Sequence, residues 1–133
     1  MNMLVFHAAL DLLLELNKEN CKRFSSDRIG KLHYLLEFAT VRVNIGRQAG
    51  VTSYIRSRVQ DNGVVVVPRF NVNNLKNAVT PDELMQGLAE LPEKIGTVWI
   101  DCPSAVFRQI DRVNLYRTLI NLGDPDRIVL LGD

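Results

Sequence analysis

The sequence predicts a three-layer α/β domain with a mostly parallel sheet of about four strands, preceded by two helices. Three observations predict it. Short β-branched runs alternate with stretches of helical character, the pattern of right-handed crossovers feeding a parallel, covered sheet. One of those runs, Val64-Val65-Val66-Val67, is uninterrupted, as in a strand buried on both faces. The 133 residues, 47% hydrophobic and 23% charged, suit one domain with one core and are too few for two.

Residues 3 to 17 carry Leu, Phe and Ala on most faces, with Asp11 and Glu15 four apart, and read as a largely buried helix ending near Asn17. Ser26 or Asp27 can cap a second helix through about Phe38, with Ile29, Leu32 and Leu36 facing inward and Tyr34 a further candidate. These helices form a prelude over residues 1–39 to a core over residues 40–133, within a single domain. The period then changes: Val41, Val43 and Ile45 alternate with Arg42 and Asn44 in a short strand that runs into Gly46-Arg47-Gln48-Ala49-Gly50. A helix is expected from about Val51 to Gln60, a turn at Asp61-Asn62-Gly63, and a strand over the valine run up to Pro68. Residues Asn71 to Ala78 read as weakly helical. Thr80-Pro81-Asp82-Glu83 supplies the cap, proline and acidic first turn of another helix, which should stop near Leu91-Pro92. Thr97-Val98-Trp99-Ile100 is a third strand ending at Asp101. The next helix lies within roughly Val106 to Asn121, packing Ile110, Val113, Leu115 and Leu119, and is broken by Gly123-Asp124-Pro125. Arg127 to Leu131 supplies the fourth strand.

Bulk charge selects no partner: sixteen basic and fifteen acidic residues leave +1, so any preference for nucleic acid or acidic surfaces must be local. Cys21 and Cys102 lie far apart without metal-ligand spacing, and no leader pattern opens the chain, which together read as a reducing, cytoplasmic setting. The apolar start is interrupted by His7, Asp11 and Glu15 and is too short for a bilayer, so no membrane span is expected. The aromatics do not interleave with basic residues, so no stacking platform for single strands is indicated.

A strand, a glycine-containing loop and a helix in succession make an anion site, because loop amides and the helix N-terminus converge on one point. Here that context is filled by Val41 to Gln60. The general phosphate-loop pattern G-x-x-x-x-G-K-[ST] is matched in part: Ile45 stands at the first glycine, Gly50 at the second, Val51 at the lysine and Thr52 at the hydroxyl. Between Glu37 and Asp61 there are four arginines, Arg42, Arg47, Arg56 and Arg58, and no acid, which favours a phosphate-bearing partner.

The string Asn44-Ile45-Gly46-Arg47-Gln48-Ala49-Gly50-Val51-Thr52 resembles the variant phosphate loop of tailed-phage large terminases, N-[LI]-[SG]-R-Q-x-G-K-T, at every position except the lysine. Thr97 to Asp101 is similar to the strand whose aspartate holds Mg²⁺, and Arg127 to Gly132 to the following strand; the resemblance covers about residues 40 to 132. It implies a P-loop NTPase-like core, with Gly46, Arg47, Gln48, Gly50, Val51, Thr52 and Ser53 around the nucleotide phosphates and Thr52 and Asp101 toward Mg²⁺. At the position of the water-activating glutamate stands Cys102, beside Asp101 as the pair of catalytic positions. A valine cannot neutralise phosphate charge, and a thiol with an ordinary pKa near ~8.5 is a poor substitute for a carboxylate at neutral pH. The implied protein is therefore a catalytically impaired P-loop NTPase-like factor of a phage or mobile element, acting in the host cytoplasm by binding a protein partner or a nucleotide such as ATP. An unconventional Mg²⁺-dependent NTPase, with Arg47 or a lysine such as Lys31 replacing the missing cation, is the alternative, and a nucleic-acid-binding module using the arginines is a further one. If the loss is complete, no cofactor is expected.

Each residue also has a plainer reading. The loop can be a strand-to-helix turn without a ligand, and Asp101 can cap the segment before Pro103. Arg56 and Arg58 fit a solvated helix face, Cys102 an inert thiol, His7 and His33 core or surface positions, and Trp99 the core. The strand order implied by the resemblance places the first strand beside the fourth, then the third and second. Val41 to Ile45 would then be a sheet edge, covered by the N-terminal helices or by a second copy in a homo-oligomer.

Overall fold

The computed structural model describes residues 3–21, 30–44, 50–69 and 74–133. Helix α1 (Met3–Cys21) continues four residues beyond the expected stop at Asn17 because its end finds a tertiary acceptor. Asn17 Nδ2 and Cys21 Sγ both donate to the Phe38 carbonyl, at 3.0 and 3.1 Å. Helix α2 (Lys31–Glu37) follows Gly30 at φ 81°, while the expected caps Ser26 and Asp27, and Ile29, lie outside the described residues. Leu35 is its fully buried residue; Leu32, Tyr34 and Leu36 sit partly buried at the margin of the core.

Strand β1 (Thr40–Val43) leads to helix α3 (Val51–Arg58), and the Asp61-Asn62 turn leads to β2 (Val64–Val66), buried throughout. Of the segment expected to be weakly helical, residues 71–73 lie outside the described residues, and the remainder is turned at Lys76-Asn77 and ends in a short strand, β3 (Ala78–Val79). Asn74 and Asn77 adopt φ of 52° and 58°, which a helix cannot absorb. The Asn77 side chain also donates to the Asp61 and Gly63 carbonyls at 3.1 and 2.9 Å, tying the segment to the turn before β2. Helix α4 (Pro81–Met85) has the capping box that Thr80 and Glu83 promise, yet it stops well before Leu91, followed by Gly87 at φ 71°.

Strand β4 (Thr97–Asp101) is followed by two helices where one was expected, α5 (Pro103–Val106) and α6 (Arg112–Gly123). The division falls at Asp111, whose side chain accepts from the Asn114 amide at 3.0 Å and starts α6 afresh. Strand β5 (Arg127–Leu131) completes a sheet of five parallel strands in the order β1-β5-β4-β2-β3. The sheet therefore has one strand more than expected. Its four longer strands lie first beside fourth, then third, then second.

Alternate side chains divide the core between two faces. Val64, Val66, Val98, Ile100, Ile128 and Leu130 pack with Leu35 of α2 and with Leu115, Tyr116 and Leu119 of α6. Val65, Trp99, Val129 and Leu131 pack with Phe6, Leu10 and Leu14 of α1 and with Val51, Tyr54 and Ile55 of α3. Helix α1 is less buried than its composition suggests: Val5, Leu12 and Leu16 are 64%, 61% and 53% exposed, because one helical stripe suffices to cover the sheet.

Gly123 ends α6 against the β4 approach. A Cβ there would lie 2.4 Å from Cγ1 of the fully buried Ile95 and 3.2 Å from the Pro92 carbonyl. Gly123→Ala is expected to cost about 1–3 kcal/mol through overpacking, measured as a lower urea midpoint with an unchanged slope.

Candidate functional site

Helix α3 points its N-terminus at the carboxyl ends of the strands, the end where open parallel sheets bind ligands. Gly50 precedes the helix at φ 114°, a conformation open to glycine, and its carbonyl accepts the first helical bond from Tyr54 at 2.7 Å. The amides of Val51, Thr52 and Ser53 are the first-turn donors with no intrahelical acceptor, and the first turn carries no acidic residue.

Thr52 and Asp101 stand 49 residues apart in sequence and meet here: Thr52 Oγ1 donates to Asp101 Oδ2 at 3.2 Å. Asp101 ends β4 and is largely buried. Burial pushes its carboxyl above the ordinary value, while the Thr52 hydroxyl and the Cys102 backbone amide pull it back down. The next residue, Cys102, takes a left-handed conformation, φ 56° and ψ 63°, and its carbonyl accepts the Ala105 and Val106 amides that begin α5. The plainer reading of Asp101, as a cap before Pro103, does not hold: Cys102 is the cap residue, and it makes no side-chain cap bond.

Gly132, just after β5, lies near both Val51 and Cys102. Its φ is 93°, and a Cβ placed on it would stand 3.8 Å from Val51 Cγ1 and 4.0 Å from the Cys102 amide. Its own amide donates to the Val43 carbonyl at 3.0 Å, closing the end of β1. Sequence reading did not single out Gly132 as a site residue; a glycine directly after a strand was the available signal. Val51 itself is 7% exposed and belongs to the core on the α1/α3 face. Ser53 is half-buried in the first turn. Gly46, Arg47 and Gln48 lie outside the described residues.

A hydroxyl and a carboxylate are hard oxygen donors of the kind Mg²⁺ takes, usually with one or two protein oxygens and the rest from water and phosphate. Thr52 and Asp101 fit that description. Among the described residues there is no group of three His, Cys, Asp or Glu side chains that could hold a metal alone.

The arginines expected to make this quarter of the chain positive are not all free to do so. Arg58, at the far end of α3, donates from Nε and Nη2 to the two Asp11 carboxylate oxygens at 3.0 and 2.8 Å, and Tyr54 OH donates to Asp11 at 2.7 Å. The acid missing from the local sequence comes from α1. Arg56 lies on the exposed side of α3. Lys31, considered as a replacement cation, is paired with Asp124 at 3.3 Å. Arg127 donates to Thr97 Oγ1 at 3.2 Å and to the Leu14 carbonyl at 3.0 Å. A cavity of about 350 Å³ lined by Asp11, Glu15, Arg58, Thr97, Trp99 and Arg127 opens beside this network. It faces the amino ends of β4 and β5, so it is separate from the Thr52–Asp101 contact.

The Arg58 guanidinium, and after it the Tyr54 hydroxyl, hold the Asp11 carboxyl at about 2, below its ordinary 3.8. A depressed folded-state value adds stability above the unfolded pKa, and that stability is lost as pH falls through the folded one. Wild-type unfolding midpoints should therefore drop between about pH 4 and 2 more steeply than those of Asp11→Asn. Because the pair is about half exposed, the variant's loss at neutral pH should stay near ~1 kcal/mol.

Trp99 is core at 4% exposure, stacked edge-on with Tyr54 at 5.9 Å. His33 is exposed, and His7 packs edge-on against Tyr54 at 5.1 Å with its Nε2 buried and unpartnered. Among the described residues, no helix is long and apolar enough to cross a membrane. No family model matches the chain, and neither does any curated protein or solved structure.

Proposed function

We propose that the chain is a P-loop-like phosphate-binding domain that takes a nucleotide through its phosphates and hydrolyses it poorly or not at all. The observation that supports this reading most is the Thr52–Asp101 hydrogen bond, which sets a helix-N-terminal hydroxyl against a strand-terminal carboxylate. Around it, the first-turn amides of α3 and the helix dipole favour an anion without any help from a lysine. Thr52 and Asp101 would hold Mg²⁺, directly or through water, and the ion would offset phosphate charge. The two residues that phosphoryl transfer demands most are replaced by Val51 and Cys102, both close to Gly132. Binding without turnover then suits an accessory factor that acts on a protein partner, and the sequence resemblance to terminases points to a phage or mobile element as its source.

Calorimetric titration of the pure protein with ATP, GTP and their diphosphates, with and without Mg²⁺, tests the reading. Saturable, Mg²⁺-enhanced binding is expected, with no release of phosphate. Failure to bind any of the four at millimolar concentration would sink the phosphate-binding assignment. Steady ATP turnover abolished by Thr52→Ala would sink the impaired-hydrolysis part.

A further inference from the structure

We propose that the cavity lined by α1, α3 and the amino ends of β4 and β5 binds a free α-amino acid, taking its carboxylate on Arg127 and its ammonium on Glu15. Its volume, about 350 Å³, falls in the range of small-molecule sites, roughly 300–1,000 Å³. The walls come from α1, from α3 with the turn after it, and from the strand starts where Thr97 and Arg127 pair in register. Every one of these segments lies within the described residues. Leu14, Tyr54 and Trp99, all buried, give the cavity an apolar base.

The charged groups around that base are of two kinds. Asp11 and Arg58 satisfy each other: Nε and Nη2 donate to the two carboxylate oxygens, Tyr54 OH adds another bond to Asp11, and Arg58 Nη1 donates to Ser57 Oγ at 2.8 Å. Arg127 and Glu15 do not. Arg127 donates from Nε to Thr97 Oγ1 and from Nη1 to the Leu14 carbonyl, which fixes the guanidinium and leaves both N–H groups of Nη2 without a partner among the described residues. Glu15 directly follows Leu14, yet its carboxylate makes no hydrogen bond or ion pair among the described residues. A cation with an open edge and an unpaired anion thus share one cavity.

That inventory selects the ligand by charge. A phosphate ester or a dicarboxylate would set surplus negative charge against Glu15, a polyamine would set surplus positive charge against Arg127, and a neutral sugar would leave both groups without a counter-charge. A zwitterion answers both. The separation of its two charges is short in an α-amino acid, and the protein's two groups are close in the same way: Arg127 holds the Leu14 carbonyl, which belongs to the peptide unit that leads into Glu15. The base of Leu14, Tyr54 and Trp99 is left for the ligand's side chain, which favours an apolar one such as that of leucine or phenylalanine. Because Thr97 begins β4 and Asp101 ends it, this cavity and the Thr52–Asp101 contact lie at opposite ends of the strand, and its occupancy can be read without nucleotide.

Trp99 is the single tryptophan of the chain and lines the cavity, so its emission reports occupancy directly. Titration of the pure protein with L-leucine is expected to change that emission saturably, with a midpoint in the millimolar range or below. N-acetyl-L-leucine lacks the ammonium and L-leucine amide lacks the carboxylate; each should bind at least about tenfold more weakly, the loss of one charge-assisted contact at an open site. Glu15→Gln, at an exposed position, should weaken L-leucine by a similar factor while leaving N-acetyl-L-leucine unaffected and the circular dichroism unchanged. The absence of a saturable change with either L-leucine or L-phenylalanine at millimolar concentration would overturn the proposal. So would blocked analogues that bind as tightly as L-leucine, or a Glu15→Gln protein with wild-type affinity for it.

Discussion

Asp101→Asn should separate binding from stability: Mg²⁺-dependent affinity for ADP or ATP is expected to fall on the order of 10–100-fold while the protein becomes more stable. The affinity loss follows from replacing an anionic oxygen donor by a neutral amide at the carboxylate that faces Thr52. The stability gain follows from burial, which raises the Asp101 pKa above its ordinary value and so opposes the ionised form in the folded chain. With a folded-state value above the unfolded one, the carboxyl's contribution is fully present below the unfolded pKa of 3.8 and is lost as pH rises through the folded value. At neutral pH the charged group therefore costs stability. Asparagine carries no such cost, so a higher melting temperature without ligand is expected. If Asp101→Asn instead lowered stability and left nucleotide affinity unchanged, Asp101 would be a structural residue and the site would lose its main support.

Val51→Lys is the second large effect and runs the other way. A charge-assisted hydrogen bond to phosphate is worth roughly 1.5–3 kcal/mol, which is about a 10–100-fold gain in affinity for ADP. Val51 is 7% exposed and packed in the α1/α3 core, so the same change should cost about 1–3 kcal/mol of folding stability. Val51→Met supplies a comparable apolar stem without charge and should leave affinity where it is. Turnover should stay low in both variants, since Cys102 still occupies the position beside Asp101. A folded Val51→Lys protein with no gain in affinity would remove the P-loop reading itself.

Much of the fold was legible locally. The valine run and the two apolar strands around Trp99 and Val129 were readable because a strand covered on both faces needs apolar residues at every position. The Thr80 to Glu83 helix start was readable because a capping box is a bond between neighbours in sequence. Strand β3 was not, since its extended form depends on Asn77 reaching back to the Asp61 and Gly63 carbonyls. Nor was the division at Asp111, where a single cap bond outweighs an apolar periodicity that continues on both sides.

The sequence by itself determined the strand before Gly50 and the helix after it, and the spacing that singles out Val51, Thr52, Asp101 and Cys102, because motif and periodicity are properties of neighbouring residues. Only the tertiary structure decided that Thr52 and Asp101 touch, that Gly132 lies close to both Val51 and Cys102, and that Asp11 neutralises Arg58. Those contacts join residues 47 or more positions apart or rest on a backbone turn at a strand end. They are set by the order in which five strands pair, which no local pattern encodes.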